Sequence, residues 1–220
     1  MLFRSVTGIC GSGIIEVIAE MYLSGVIDAD GVVDGANSDR SPRVIQDGRT
    51  YTYVLHEDGD RKVVVSQNDV RAIQLAKAAL RAGIDLLMEH SGLTAIGDIR
   101  LAGAFGAHIS PLHALVLGLV PDCPVEGVRA VGNAAGGGAV RALLSKKLRA
   151  ELETLARNVI KIETATEPRF QALFVGAMAF PHASAPTPNL ALLVALPPKK
   201  TTTDSGRRRR LRNSVEGVSV

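Results

Sequence analysis

Apolar residues at positions 14, 15, 18, 21 and 22 recur at helical spacing, and Gly25 closes the pattern, so the sequence predicts a helix over 14–23. Residues 28–48 are rich in Asp, Gly, Ser and Asn and read as a loop or meander. Two β-branched or aromatic runs, 49–55 and 61–66, flank an Asp58-Gly59 turn and predict a hairpin. Ser66 with Asp69 forms a capping-box variant that starts a long helix, which Gly92 ends near residue 90. Its apolar stripe is Ile73, Ala76, Leu80, Ile84 and Leu87, with Lys77, Arg81 and Asp85 on another face. Strands and helices then alternate: strand 98–102, a helix from Ser110-Pro111, strand 128–131, helices 139–144 and 146–158, strand 159–163 and helix 169–179. Such alternation argues for an α/β layer architecture.

Composition supports a core of small aliphatic residues. The 220 residues are 46% hydrophobic and 4% aromatic, with 22 Gly and no Trp, which suits a glycine-punctuated α/β protein better than a disordered chain. The net charge of +3 is not evenly spread. Seven of the 25 Lys and Arg, but only two of the 22 Asp and Glu, lie in 182–220, leaving 18 basic and 20 acidic groups in the first 181 residues. The basic character belongs to the end of the chain, so the body gives no electrostatic argument for nucleic acid. Four prolines between 186 and 198, a Thr201-Thr-Thr run and Arg207 to Arg210 predict a disordered tail over 182–220, after a domain over 1–181.

Cys10 and Cys123 are the only cysteines. Without a CxxC the chain offers no cysteine-held iron–sulfur cluster or four-cysteine zinc site, and no metal site is expected. No apolar run is long enough to span a bilayer, and no signal peptide is evident. The reading is a soluble cytoplasmic protein with no membrane partner.

Three glycine-rich turns sit at strand–helix junctions: Gly8-Ile-Cys-Gly-Ser-Gly13, Gly103-Ala-Phe-Gly106 and Gly132-Asn-Ala-Ala-Gly-Gly-Gly138. Glycine there lets backbone N–H groups approach a phosphate or a flat base, and the following helix adds a positive dipole end. None matches the P-loop, and the first does not spell GxGxxG. Taken singly, each turn reads first as close packing. Three together point to a nucleotide site. Before the first turn almost no strand is left, so the natural domain is expected to begin further upstream.

The wording of these segments is more specific than their physics. The first turn continuing Ile14-Ile-Glu16, then Asn68-Asp-Val-Arg-Ala-Ile-Gln-Leu-Ala-Lys77, Leu101-Ala-Gly-Ala-Phe-Gly106, Gly132-Asn-Ala-Ala-Gly-Gly-Gly-Ala139 and Phe174-Val-Gly-Ala-Met-Ala-Phe-Pro181 occur in order. Over roughly 7–181 the chain resembles the C-terminal region of the ATP-dependent reductive activators of corrinoid proteins. The resemblance implies an α/β fold, a partial actin-like (ribonuclease H-like) ATPase lobe of the acetate and sugar kinase/Hsc70/actin type, with helices packed on a mixed sheet. It implies coupling of ATP to electron transfer from an iron–sulfur cluster to a corrinoid protein, taking cobalt from Co(II) to Co(I). By position, Gly103, Ala104, Phe105 and Gly106 resemble the adenosine-side loop. Gly11, Ser12 and Gly13 resemble part of the phosphate-side wall, and Gly132, Asn133, Gly136 and Gly137 a glycine turn beside the cleft. ATP with Mg is the implied cofactor, and the iron–sulfur cluster is expected only in an upstream module. The superfamily's Asp-x-Gly-Thr loops do not occur here, so no catalytic carboxylate or Mg ligand is assigned, and the chain alone is expected to be inactive. An activator of another low-potential acceptor (the acyl-CoA dehydratase type), a docking lobe without hydrolysis, and a sugar or acid kinase stay open as alternatives, as does a homodimer.

Single residues have plainer readings beside their functional ones. Cys10 and Cys123 read as small buried residues rather than redox thiols. His108 reads as a surface or outer group, and Glu16 with Glu20 as a solvated helix face. Phe105 is as consistent with core packing as with stacking on a base.

Overall fold

The structure is a computed structural model and describes residues 6–198. The first helix, α1 (Gly11–Leu23), begins where Cys10, in extended backbone, accepts the Gly13 N–H at its sulfur. Burial of Ile15, Ile18, Ala19, Met21 and Tyr22 gives it one apolar face, as its spacing predicts. A single 3₁₀ turn at Gly35–Asp39 lies in the expected loop. The loop also yields strand β1 (Val44–Asp47), which joins β2 (Thr50–Asp58) and β3 (Arg61–Val65) in an antiparallel meander. The predicted hairpin is β2–β3, registered Tyr53 on Val65, with an irregularity between Val54 and His56.

Helix α2 (Gln67–His90) carries the predicted capping box: Ser66 Oγ accepts from Asp69 N, and Asp69 Oδ2 accepts from Ser66 N at 2.8 Å. Its buried face differs from the expected stripe. The buried residues are Val70, Gln74, Lys77, Ala78, Arg81, Ala82 and Leu86, whereas Leu80 and Leu87 are more than half exposed. The reason is tertiary. Lys77 Nζ donates to the carbonyls of Ala179 (2.6 Å) and Pro181 (2.8 Å), and lies 5.2 Å from the centre of the Phe180 ring. Gln74 Nε2 donates to Asp30 and Met178 carbonyls, and Arg81 pairs with Asp85 and donates to the Val120 carbonyl. Buried polar groups are tolerated where partners satisfy them, and here distant backbone supplies the partners. Burial, followed by the nearby Arg81 charge, pulls the Lys77 ammonium down to about 7.

Strand β4 (Ile99–Ala102) pairs in parallel with β5 (Val128–Gly132), setting Ala102 opposite Gly132. Short α3 (Gly103–Gly106) follows β4. Helix α4 (Pro111–Leu117), capped by Ser110 with Pro at its start, packs on α1. After β5 come α5 (Ala134–Leu144) and α6 (Lys146–Asn158), and then α7 (Phe170–Ala177), which packs along α2. The chain adopts the expected α/β class, with its strands divided between an antiparallel and a parallel sheet. Residues 159–163, expected as a strand, form no ladder among the described residues.

One core joins α1, α4, the start of α2 and the loop at 27–33, with Phe180 and Tyr22 in ring contact at 5.8 Å. Residues 182–198 depart from the expected tail. Helix α8 (Pro188–Ala191) seats a fully buried Leu190 in this core. Asp122 fixes it by accepting from Asn189 N, Asn189 Nδ2 and Leu190 N at 2.9–3.0 Å. Prolines suggested disorder, but a remote carboxylate and a buried leucine order the segment. The Arg207 to Arg210 part of the expected tail lies outside the described residues.

Candidate functional site

The three glycine corners meet at one end of the parallel pair. The expected adenosine-side corner, α3, begins directly after β4, and the third corner begins directly after the neighbouring β5. Because Ala102 and Gly132 are ladder partners, the two corners are side by side. Gly103 and Gly132 have φ of +91° and +64°, the left-handed region that only glycine enters without strain. Both are open to space, with nothing within 4 Å of where a Cβ would stand. The first corner comes in from α1. A Cβ on Gly11 would meet the Phe105 ring at 2.9 Å, so Gly11 is the place where α1 approaches α3 that closely.

Not every candidate residue faces this opening. Gly106 is buried, and a Cβ there would lie 3.1 Å from the Leu101 backbone, so it serves packing of α3 on β4. Asn133 caps α5: its Oδ1 accepts from Gly136 N at 2.9 Å, and its carbonyl accepts from Gly137 N. The Gly136 and Gly137 amides are thereby occupied. Gly13 is likewise engaged by Cys10. The first intrahelical bond of α1 is Ile14 N to Cys10 O at 3.0 Å, which leaves the Gly11 and Ser12 amides ahead of the ladder, as Ala134 and Ala135 are in α5. These four N–H groups, with the dipole ends of two helices, can receive an anion. Ala104 is exposed, and the Phe105 ring is 53% exposed, leaning on Gly11 and available to a flat partner.

Cys10 departs from its plain reading, because it is exposed at the α1 N-terminus. Hydrogen bonding with the Ser12 hydroxyl, then with the Gly13 amide, holds its thiol below the usual value. Its position as helix cap was the readable signal: an extended residue directly before Gly-Ser-Gly. Cys123 is buried, as expected, and burial pushes its thiol up. His108 is exposed. Glu16 and Glu20 are exposed, but Glu20 meets His113 Nε2 at 2.8 Å, a contact between α1 and α4 that spacing could not reveal.

The corner residues fit one wall of a nucleotide site: open backbone, amides ahead of the helix ladders and a half-exposed ring. They do not fit a metal centre. Among the described residues no group of three or more His, Cys, Asp or Glu could hold a metal ion. No described helix is long and apolar enough to cross a membrane.

The chain resembles known proteins in sequence and in fold. The chain is 36% identical over 174 residues to the corrinoid activation enzyme RamQ of Eubacterium limosum, covering 74% of this chain and 29% of that protein. Its fold matches a solved structure of a reductive activator for corrinoid, iron–sulfur protein with a TM-score of 0.70 at 30% identity, over 80% of this chain and 28% of the other. The chain thus spans under a third of the length of these relatives. The family model for the C-terminal domain of RACo, the ASKHA domain, matches residues 3–191, and the chain belongs to that family.

Proposed function

We propose that the three glycine corners form one wall of an ATP site, and that the chain is the ATP-binding part of a reductive activator serving a corrinoid protein. The observation that supports this most is the convergence of the corners: Gly11 against Phe105, and Ala102 beside Gly132. In this reading the amides of Gly11 and Ser12, and those of Ala134 and Ala135, receive phosphate oxygens. Gly103 and Gly132 keep the backbone open where a side chain would obstruct approach. Phe105 offers its ring to the base. Bound ATP would supply the free energy that drives an electron uphill to cobalt, Co(II) to Co(I), in the whole activator. This chain's residues hold and orient the nucleotide. They neither carry the electron nor ligate Mg²⁺, functions that we place in polypeptide outside the matched third of the relatives.

A chemical-shift titration of the chain with Mg·ATP tests the reading. Shifts gathered at Gly11–Ser12, Gly103–Phe105 and Gly132–Ala135, with weak affinity, are the expected result. Shifts elsewhere overturn the shared site, and tight binding by this chain alone overturns the division of the cleft between two stretches of polypeptide.

A further inference from the structure

Helix α2 turns a second face to the outside. Ala72, Leu75, Ala76, Ala79, Leu80 and Leu87 are exposed, the three leucines by 44%, 52% and 57%. The opposite side of the helix is taken up by α7 and the core. No charge interrupts the outer face between Arg71 and Glu89: Lys77 and Arg81 are buried, and half-buried Asp85 pairs with Arg81. Small residues let another helix come close, and projecting leucines give it apolar area to cover. The C-terminal half of the face is hollow. A groove of about 340 Å³ opens between α2 and residues 162–164, lined by Leu80, Gly83, Ile84, Leu87, Ile162 and Thr164. Lys161 and Glu163 beside it pair with each other. The N-terminal half instead carries the exposed Leu75.

These features complement one another in a second copy laid antiparallel. Arg71 and Glu89 each lie nine residues from Leu80, and their separation of 18 residues is five full turns, so both flank the apolar face on one side. A two-fold axis passing Leu80 therefore sets each Arg71 alongside the Glu89 of the other copy. Arg71 is exposed, and Glu89 holds Arg169 through Oε1 at 2.7 Å, which leaves Oε2 as an acceptor. The same axis carries Leu75 to the level of residue 85 in the other copy, within the groove bounded by Gly83, Ile84 and Leu87. Each copy thus offers a knob and a hole, the self-matching surface that a two-fold contact needs. Antiparallel alignment also opposes the two helix dipoles. A parallel pair would set Arg71 against Arg71 and leave both grooves unfilled.

We infer that the outer face of α2 is a dimer contact, in which two copies of this chain pair antiparallel about Leu80. Leu75 of each copy sits in the groove beside Gly83 of the other, and Arg71 pairs with Glu89. The inference goes beyond the nucleotide reading and does not rest on it, because no glycine corner lies on α2.

Sedimentation of the full 220-residue chain over a range of concentrations tests the contact. A monomer–dimer equilibrium is expected. Leu80→Asp places an unpaired charge at the axis and should weaken the dimer by at least about tenfold. Arg71→Glu and Glu89→Arg should each weaken it about fivefold, and the two changes together should restore it. Leu152→Asp alters a leucine of α6 that is similarly exposed, at 49%, and should leave the dimer unchanged. Circular dichroism verifies that each variant stays folded; should Leu80→Asp unfold, the charge reversal decides alone. A chain that remains monomeric overturns the inference, whatever other polypeptide covers α2. So does a dimer that a folded Leu80→Asp variant still forms, that Leu152→Asp abolishes, or that the paired reversal fails to restore.

Discussion

Two halves of this molecule use leucine and lysine in opposite ways. Around α1, α4 and α2, Leu115, Leu117 and Leu190 are buried, and so is Lys77, held by two carbonyls and a phenyl ring. Along α5 and α6, the leucines are exposed beside lysines that are exposed too. The residue types are shared; the partners are not. A lysine can enter an interior when distant backbone offers acceptors for its amino group. An apolar one stays outside when nothing lies against it. Burial is a property of the neighbourhood more than of the residue.

The contrast is broken most strongly by truncation on the two sides. Tyr22→Ala empties a fully buried site against Phe180 and should cost about 4 kcal/mol in denaturant unfolding. Leu152→Ala on α6 should change the stability of the chain alone by less than about 0.5 kcal/mol. Equal effects would show that α6 is covered in solution.

Lys77 sharpens the contrast through pH. Its folded value of about 7 lies below the ordinary 10.5. Between those two values the unfolded chain holds the proton and the folded one does not, so stability rises with pH. That stabilisation is fully present above 10.5 and is lost as pH falls through 7. Denaturation series should therefore show wild-type stability climbing by up to a few kcal/mol over this window relative to Lys77→Met, in which the climb is absent. Parallel curves for the two proteins would mean that the ammonium stays charged inside.

A smaller effect than that of Tyr22→Ala is expected at the strap that holds Asn189 and Leu190. Asp122→Ala removes three acceptor contacts to Asn189 and Leu190. It should cost about 1–2 kcal/mol and speed proteolytic cleavage within 182–198, read by mass spectrometry. Unchanged cleavage would show that Leu190 alone holds the segment.

Much of the candidate site was legible before folding. Its three corners are glycine runs that stand out from their surroundings; each runs into a helix, and the second and third directly follow an apolar run. Their convergence was not legible. Ala102 and Gly132 are thirty residues apart and become neighbours only through parallel pairing. Gly11 finds Phe105 only because α1 docks beside α3. The internal use of Asn133 and the packing use of Gly106 were also hidden, since a capping amide and a ligand-binding one have the same sequence signature.

By itself the sequence determined the elements governed by short-range rules. Among them are the capping box at Ser66, the Asp58-Gly59 hairpin and the Ser110-Pro111 helix start. These depend on contacts within a few residues, and composition fixes such contacts. Tertiary structure alone decided which face of α2 is inside, that 182–198 packs, and that 159–163 forms no ladder among the described residues. Each of those outcomes turns on a partner far along the chain, present for Lys77 and Asn189, whereas Ile160 finds no ladder strand among the described residues, and periodicity carries no information about what will stand opposite.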